Sequence, residues 1–131
     1  MTTALWCVMV AALLPIFCAG ISKWGFRGYD NSRPREWLAT QEGWRGRANA
    51  AQQNSWEAFA IFAAAVLTAH VAGASQPKVD ALALAFISTR LVYTWCYVMN
   101  FASLRSLVWL VGLGLSIALF PMVIMTMTIE R

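Results

Sequence analysis

The sequence predicts an all-α integral membrane protein, a four-helix up-and-down bundle. Three observations carry that expectation. Of 131 residues, 60% are hydrophobic and 12% charged, about half the roughly 25% charged residues of a soluble domain. The mean hydropathy of +0.57 is too high for a surface facing water on every side. The apolar residues also gather into four long stretches, approximately 4–22, 48–73, 78–99 and 105–128. Each is close to the ~20 residues a helix needs to cross the hydrocarbon. Four spans and their connections use all of 1–131 as one transmembrane domain and leave no room for a soluble one.

The first stretch is expected to be a retained helix. "MTTALW" has no basic residue before the apolar run, and "IFCAG" is a poor cleavage site, so a signal peptide is disfavoured. The second stretch is the unusual one. "RANAAQQNSWEAF", Arg47 to Phe59, sets amides and a carboxylate at the mouth of a run of nearly pure hydrocarbon. The third begins after "GASQP", where Pro77 suits a first helical turn that has no use for its missing N–H, and is interrupted by Arg90. The fourth, Leu107 to Met127, is uninterrupted. Cys7, Cys18 and Cys96 are scattered over apolar segments with no C-x-x-C pair, so they read as small buried thiols. His70 stands alone, without the clustered ligands that zinc needs.

The charges set an orientation. The first connection carries Lys23, Arg27, Arg33, Arg35, Arg45 and Arg47, and the short third connection Arg105. The opposite side has Lys78 and Arg131. By the positive-inside rule both basic connections are cytoplasmic, with both termini on the far side. The net charge of +4 thus reads as topology and lipid contact. There is no basic, aromatic-rich soluble module to suggest nucleic acid. The first connection, Lys23 to Gly46, is long for a compact bundle. Within it "RPREWLATQEGW" is expected to form a short surface helix, with Trp37, Leu38 and Trp44 at interface depth.

Glu57 and Arg90 are charges inside spans, where insertion of each costs at least ~2.5–3.5 kcal/mol. Counted from the same face, each lies nine residues in, roughly 13–14 Å deep at 1.5 Å per residue. Opposite charges at one depth on consecutive helices suggest an ion pair or a shared ligand. The matching continues outward. Arg90, Tyr93 and Tyr97 follow i, i+3, i+7 and share a face, while Gln53 and Asn54 lie one turn from Glu57. Arg47 and Asn100 stand at the mouth. Each of these alone could be interhelical glue, worth about 0.6 kcal/mol on average. The layered set reads as a funnel for a small, polar, mainly anionic ligand with an amine, whose apolar walls admit a lipophilic partner from the bilayer.

At these residues the sequence resembles the MAPEG family, the membrane-associated proteins of eicosanoid and glutathione metabolism. "RANAAQQNSWEAF" is similar to the family's Asn-x-x-Glu motif at Asn54 and Glu57. "RLVYTWCYVMNFASLRS" is similar to its Arg-x-x-[His/Tyr]-x-x-x-Tyr pattern at Arg90, Tyr93 and Tyr97, followed by Arg105 and Ser106. "GYDNSRPRE" looks like bacterial members, which implies the bacterial inner membrane. The resemblance implies a homotrimer with three sites between neighbouring subunits, each holding glutathione as co-substrate near the cytoplasmic face. It implies a membrane-bound glutathione-dependent transferase or peroxidase acting on lipophilic electrophiles; the alternative is a non-catalytic member that binds another anionic or lipidic ligand or assembles only. Arg47, Gln53, Asn54, Glu57, Arg90, Tyr93 and Tyr97 are then the glutathione contacts, and Arg105 the catalytic residue that stabilises the thiolate. The sequence departs from the best-studied synthases at Ala50, where they carry an arginine. It departs also at Gln53, in place of a basic residue, and at Trp109, in place of a tyrosine.

Overall fold

A computed structural model describes residues 1–25 and 27–129; Arg131, one of the two basic residues expected on the far side, lies outside them. The order is α1 (Thr3–Lys23), α2 (Pro34–Ala39), α3 (Gly43–Val71), α4 (Gln76–Val98) and α5 (Ala102–Ile129), with no strand among the described residues.

The helix ends follow local chemistry. Thr2 caps α1 by accepting from the Leu5 N–H, and the Asp80 carboxylate accepts the Ala4 N–H at 2.7 Å. A second of the N–H groups left over at a helix start is thereby satisfied. Pro34 opens α2, and the Thr40 hydroxyl closes it on the Trp37 carbonyl. Pro77 lies in the first turn of α4, as expected. α3 and α4 both stop with a left-handed residue, Gly73 (φ +69°) and Asn100 (φ +66°). In each case the next N–H turns back to a carbonyl inside the helix, Ala74 to Ala69 and Phe101 to Cys96.

Three helices among the described residues are long and apolar enough to cross a membrane: α1, α4 and α5, the last over Ala102–Met125. α3 is the longest at 29 residues but does not reach the same hydropathy. The reason is the polar run from Arg45 to Glu57 that the sequence places in its first half. The expected second span, 48–73, coincides with it over 48–71 and runs two residues past its end.

Contacts at the helix ends fix relative directions. The start of α1 meets the start of α4 through Asp80. The start of α3 meets the end of α4, where Arg47 Nε donates to the Val98 carbonyl at 3.0 Å. Arg105, early in α5, lies over Tyr97, late in α4. Small residues make the α1–α3 seam close: Ala4, Cys7 and Ala11 pack in one core with Phe62, Ala65, Val66 and Ala69. Phe62 of α3 stacks on Phe86 of α4 at 4.0 Å and 11°. α5 approaches α4 at Gly112, where a Cβ would lie 3.0 Å from Thr89 Oγ1.

All three cysteines are free and buried, as expected. In the first connection the helix predicted within "RPREWLATQEGW" is present as α2, but Leu38 turns inward and is only 8% exposed. Leu38 covers α3 and does not face outward, unlike the exposed Trp44. Asp30 accepts from the Ser32 hydroxyl and N–H, which holds its carboxyl below the ordinary carboxylate value.

Candidate functional site

Arg90 is the centre of the arrangement. Helical spacing puts it on the inner side of α4 with Phe86 and Tyr93, and it is 3% exposed. Its Nη2 donates to Asn54 Oδ1 at 2.9 Å and to Ser55 Oγ at 3.4 Å, both on α3. Its guanidinium lies over the Tyr93 ring, 4.2 Å from the centroid. A guanidinium has five N–H donors, and these two bonds use only Nη2, so Nε and Nη1 are left for a further acceptor.

Glu57 and Arg90 do not form a direct ion pair. The Asn54 amide stands between them. It accepts from Arg90 through Oδ1, and its Nδ2 donates to Glu57 Oε2 at 3.5 Å. The geometry follows from the α3 register. Asn54 and Glu57 are one turn apart, and the shorter side chain is the one beside Arg90. Glu57 itself is exposed on the isolated chain. A carboxylate so placed on a helix among membrane-crossing helices needs a partner from elsewhere.

The expected residues fall into three groups. Asn54, Tyr93, Tyr97 and Arg105 line one pocket of about 420 Å³ with Ser106, Trp109 and Leu110. In it Arg105 sits over Tyr97 at 4.2 Å, and Tyr97 meets Tyr93 edge-on at 5.6 Å. Asn54, Glu57 and Arg90 form the rim of an adjoining cavity of about 90 Å³, whose walls include Ile61, Phe86 and Leu113. The two spaces share Asn54 and Trp109. Gln53 belongs to neither. It lies on another side of α3, in a groove of about 510 Å³ with Arg35, Asn49, Ala50 and Trp56. Arg47 lines neither space: its Nε is engaged with the Val98 carbonyl. Gln53 is turned about 100° around the helix from Asn54, a rotation that the layer-by-layer reading of the funnel ignored, whereas Arg47 shares the Asn54 side of α3 at i, i+7 and is taken up by the end of α4.

Sequence reasoning missed Ser55, which shares Arg90 with Asn54, and the cavity-lining Gly112 and Ser116 of α5. Ser55 had a usable signal, since position 55 follows 48 and 51 on the buried face of α3. Gly112 and Ser116 lay within an uninterrupted apolar stretch that offered none. No group of three or more His, Cys, Asp or Glu side chains capable of holding a metal occurs among the described residues.

The fold and this cluster define an all-helical membrane protein with a buried, hydrogen-bonded arginine between its helices. A model of the MAPEG family matches residues 3–125, and the chain belongs to that family. No curated protein and no solved structure matches it.

Proposed function

We propose that the protein is a membrane-bound, glutathione-dependent transferase or peroxidase acting on lipophilic electrophiles. The observation that carries this reading is the pocket beside Arg105, which gathers Asn54, Tyr93, Tyr97 and Arg105. A purely structural member would use Arg90 and Glu57 to neutralise each other in a closed core. Here an amide separates them and both border open space.

In this proposal α1, α3, α4 and α5 cross the membrane up and down, and 1–131 is one domain. The basic first connection and the site face the cytoplasm of a bacterial cell, with both termini opposite. Three chains assemble, with sites between neighbours. Glu57 holds the amine of glutathione, Arg90 a carboxylate, Asn54 and Tyr97 the peptide backbone, and Arg105 the sulfur. A trimer also gives a use to Gln53, which looks away from Arg90 and toward a neighbouring chain. Arg47, held by α4, drops out of the ligand set.

The chemistry rests on the thiolate. A thiol of pKa ~8.5 is mostly protonated at neutral pH, and a guanidinium beside it favours the anion. The thiolate attacks an electrophilic carbon, forming the C–S bond while the leaving group takes the bonding pair. On a hydroperoxide it breaks the O–O bond, and a second glutathione completes the disulfide, releasing alcohol and water. Calorimetry of glutathione with the detergent-solubilised protein tests the proposal, together with ultraviolet difference absorbance of the thiolate near neutral pH. Binding with a thiolate signal supports it. Binding without that signal leaves a ligand-binding protein, and no binding at millimolar glutathione refutes the reading.

A further inference from the structure

The 90 Å³ cavity beside the main pocket is not used by the reading above except at its rim. It is a cleft between α3 and α5, backed by α4 through Phe86. Its rim is polar and its depth apolar. Ala58 and Ile61 on α3 and Gly112 and Leu113 on α5 make the lower walls. Ala58 is a small residue on the α3 wall, and Gly112 lets α5 come close to Thr89 of α4 beside the space. Trp109 stands at the join with the Arg105 pocket, one helical turn beyond Arg105. Gly112 is a further turn on, roughly 10 Å along the axis from Arg105.

We propose that this cleft seats the unbranched alkyl end of the co-substrate, and so selects electrophiles that carry a short linear hydrocarbon chain. The assignment rests on the glutathione reading, which places the reacting sulfur at Arg105. A chain attached to that sulfur passes Trp109 and enters the cleft tail first. Size limits what fits. A cavity of about 150 Å³ takes a benzene ring, so this one takes about three to four carbons in file and excludes a ring or a branched end. The apolar depth has no group to satisfy a polar terminus except the Ser116 hydroxyl, so hydrocarbon is preferred there.

The test uses S-alkyl glutathiones from methyl to decyl, titrated calorimetrically into the full protein. Once the chain is long enough to pass Trp109, affinity is expected to rise about fourfold per methylene over a window of three to four carbons, then level off. Ala58→Leu fills the cleft from α3 and is expected to shorten or abolish that window. Ile61→Ala removes a wall side chain that is 42% exposed, a change that folding tolerates, and is expected to lengthen the window by one or two carbons. The S-methyl affinity of each variant is the reference for its own slope. A rise without a plateau, or a plateau that neither variant moves, overturns the proposal and places the chain against lipid or detergent. Failure of glutathione and every thioether to bind is a separate result, and it sinks the glutathione reading together with this one.

Discussion

Asn54→Leu tests how the buried arginine is held. Leucine keeps the branched outline of asparagine, with a larger volume, but has neither its acceptor nor its donor. Arg90, 3% exposed, loses its 2.9 Å partner and keeps the longer 3.4 Å bond to Ser55 and its place over the Tyr93 ring. A hydrogen bond to a charged group is worth about 1.5–3 kcal/mol, so a loss of about 2 kcal/mol is expected. For a chain of this size that lowers the unfolding midpoint by about 6–10 °C. Arg90→Leu is expected to be costly alone, and the double variant to cost about 1–2 kcal/mol less than the sum, because the two side chains share one contact. Glu57→Gln should move the midpoint by no more than about 2 °C, since its carboxylate is exposed and its bond to Asn54 is long at 3.5 Å. Far-ultraviolet circular dichroism in one detergent at one scan rate compares these variants with the wild type on a common footing. A silent Asn54→Leu beside a severe Glu57→Gln would mean that the two charges pair directly and that the amide bridge is wrong.

Arg105→Ala is expected to abolish the thiolate absorbance of added glutathione while weakening its binding less than tenfold, as read by titration. Arg47→Ala should cost about 1 kcal/mol by freeing the Val98 carbonyl and leave glutathione affinity within twofold; a large affinity loss returns Arg47 to the ligand set. Gly112→Val should destabilise by about 1–3 kcal/mol in thermal unfolding, because even a Cβ there meets Thr89 Oγ1 at 3.0 Å. With all three native cysteines buried, a single Asn31→Cys probe should react with an impermeant maleimide only from the cytoplasmic side of vesicles. Reaction from the other side reverses the orientation.

The helices were legible because their signals are local. Pro34 and Pro77 open helices where proline is tolerated, and the turns "AGAS" and "MNFA" each place a left-handed residue just beyond a helix. The pairing of α3 with α4 was legible from depth, which a residue count along each helix supplies. Rotation was harder to read. Asn54, Gln53 and Arg47 lie within two turns of one another, yet one meets Arg90, one looks into a separate groove and one holds the end of α4. A depth count assigns all three to one funnel, because it carries no angle to part Gln53 from Asn54 and no sign of the α4 carbonyl that engages Arg47. The bridging amide was invisible for the same reason: Glu57 and Arg90 match in depth but not in azimuth. Leu38 shows the converse. Its hydropathy suited lipid and protein equally, and only the fold of the first connection over α3 turned it inward.

The departures at Ala50 and Trp109 gain different weights from their positions. Ala50 lines the groove that contains Gln53 and Arg35, one turn before Asn54 on α3. If sites lie between subunits, an arginine lost there thins the edge a neighbour contributes and leaves the Arg90 and Arg105 centres intact. Arg35 opens onto the same groove and is the nearest available replacement for that charge. Trp109 stands on the wall common to the Arg105 pocket and the cleft below it. A tyrosine at that place offers a phenol to the reacting sulfur, whereas the indole offers only one N–H and a broad apolar face. On the proposed glutathione reading, the exchange acts on the electrophile more than on glutathione. Trp109→Tyr should change the chain-length preference and the rate on alkyl electrophiles while leaving the thiolate signal in place. Loss of that signal in Trp109→Tyr would instead assign the indole to the glutathione site.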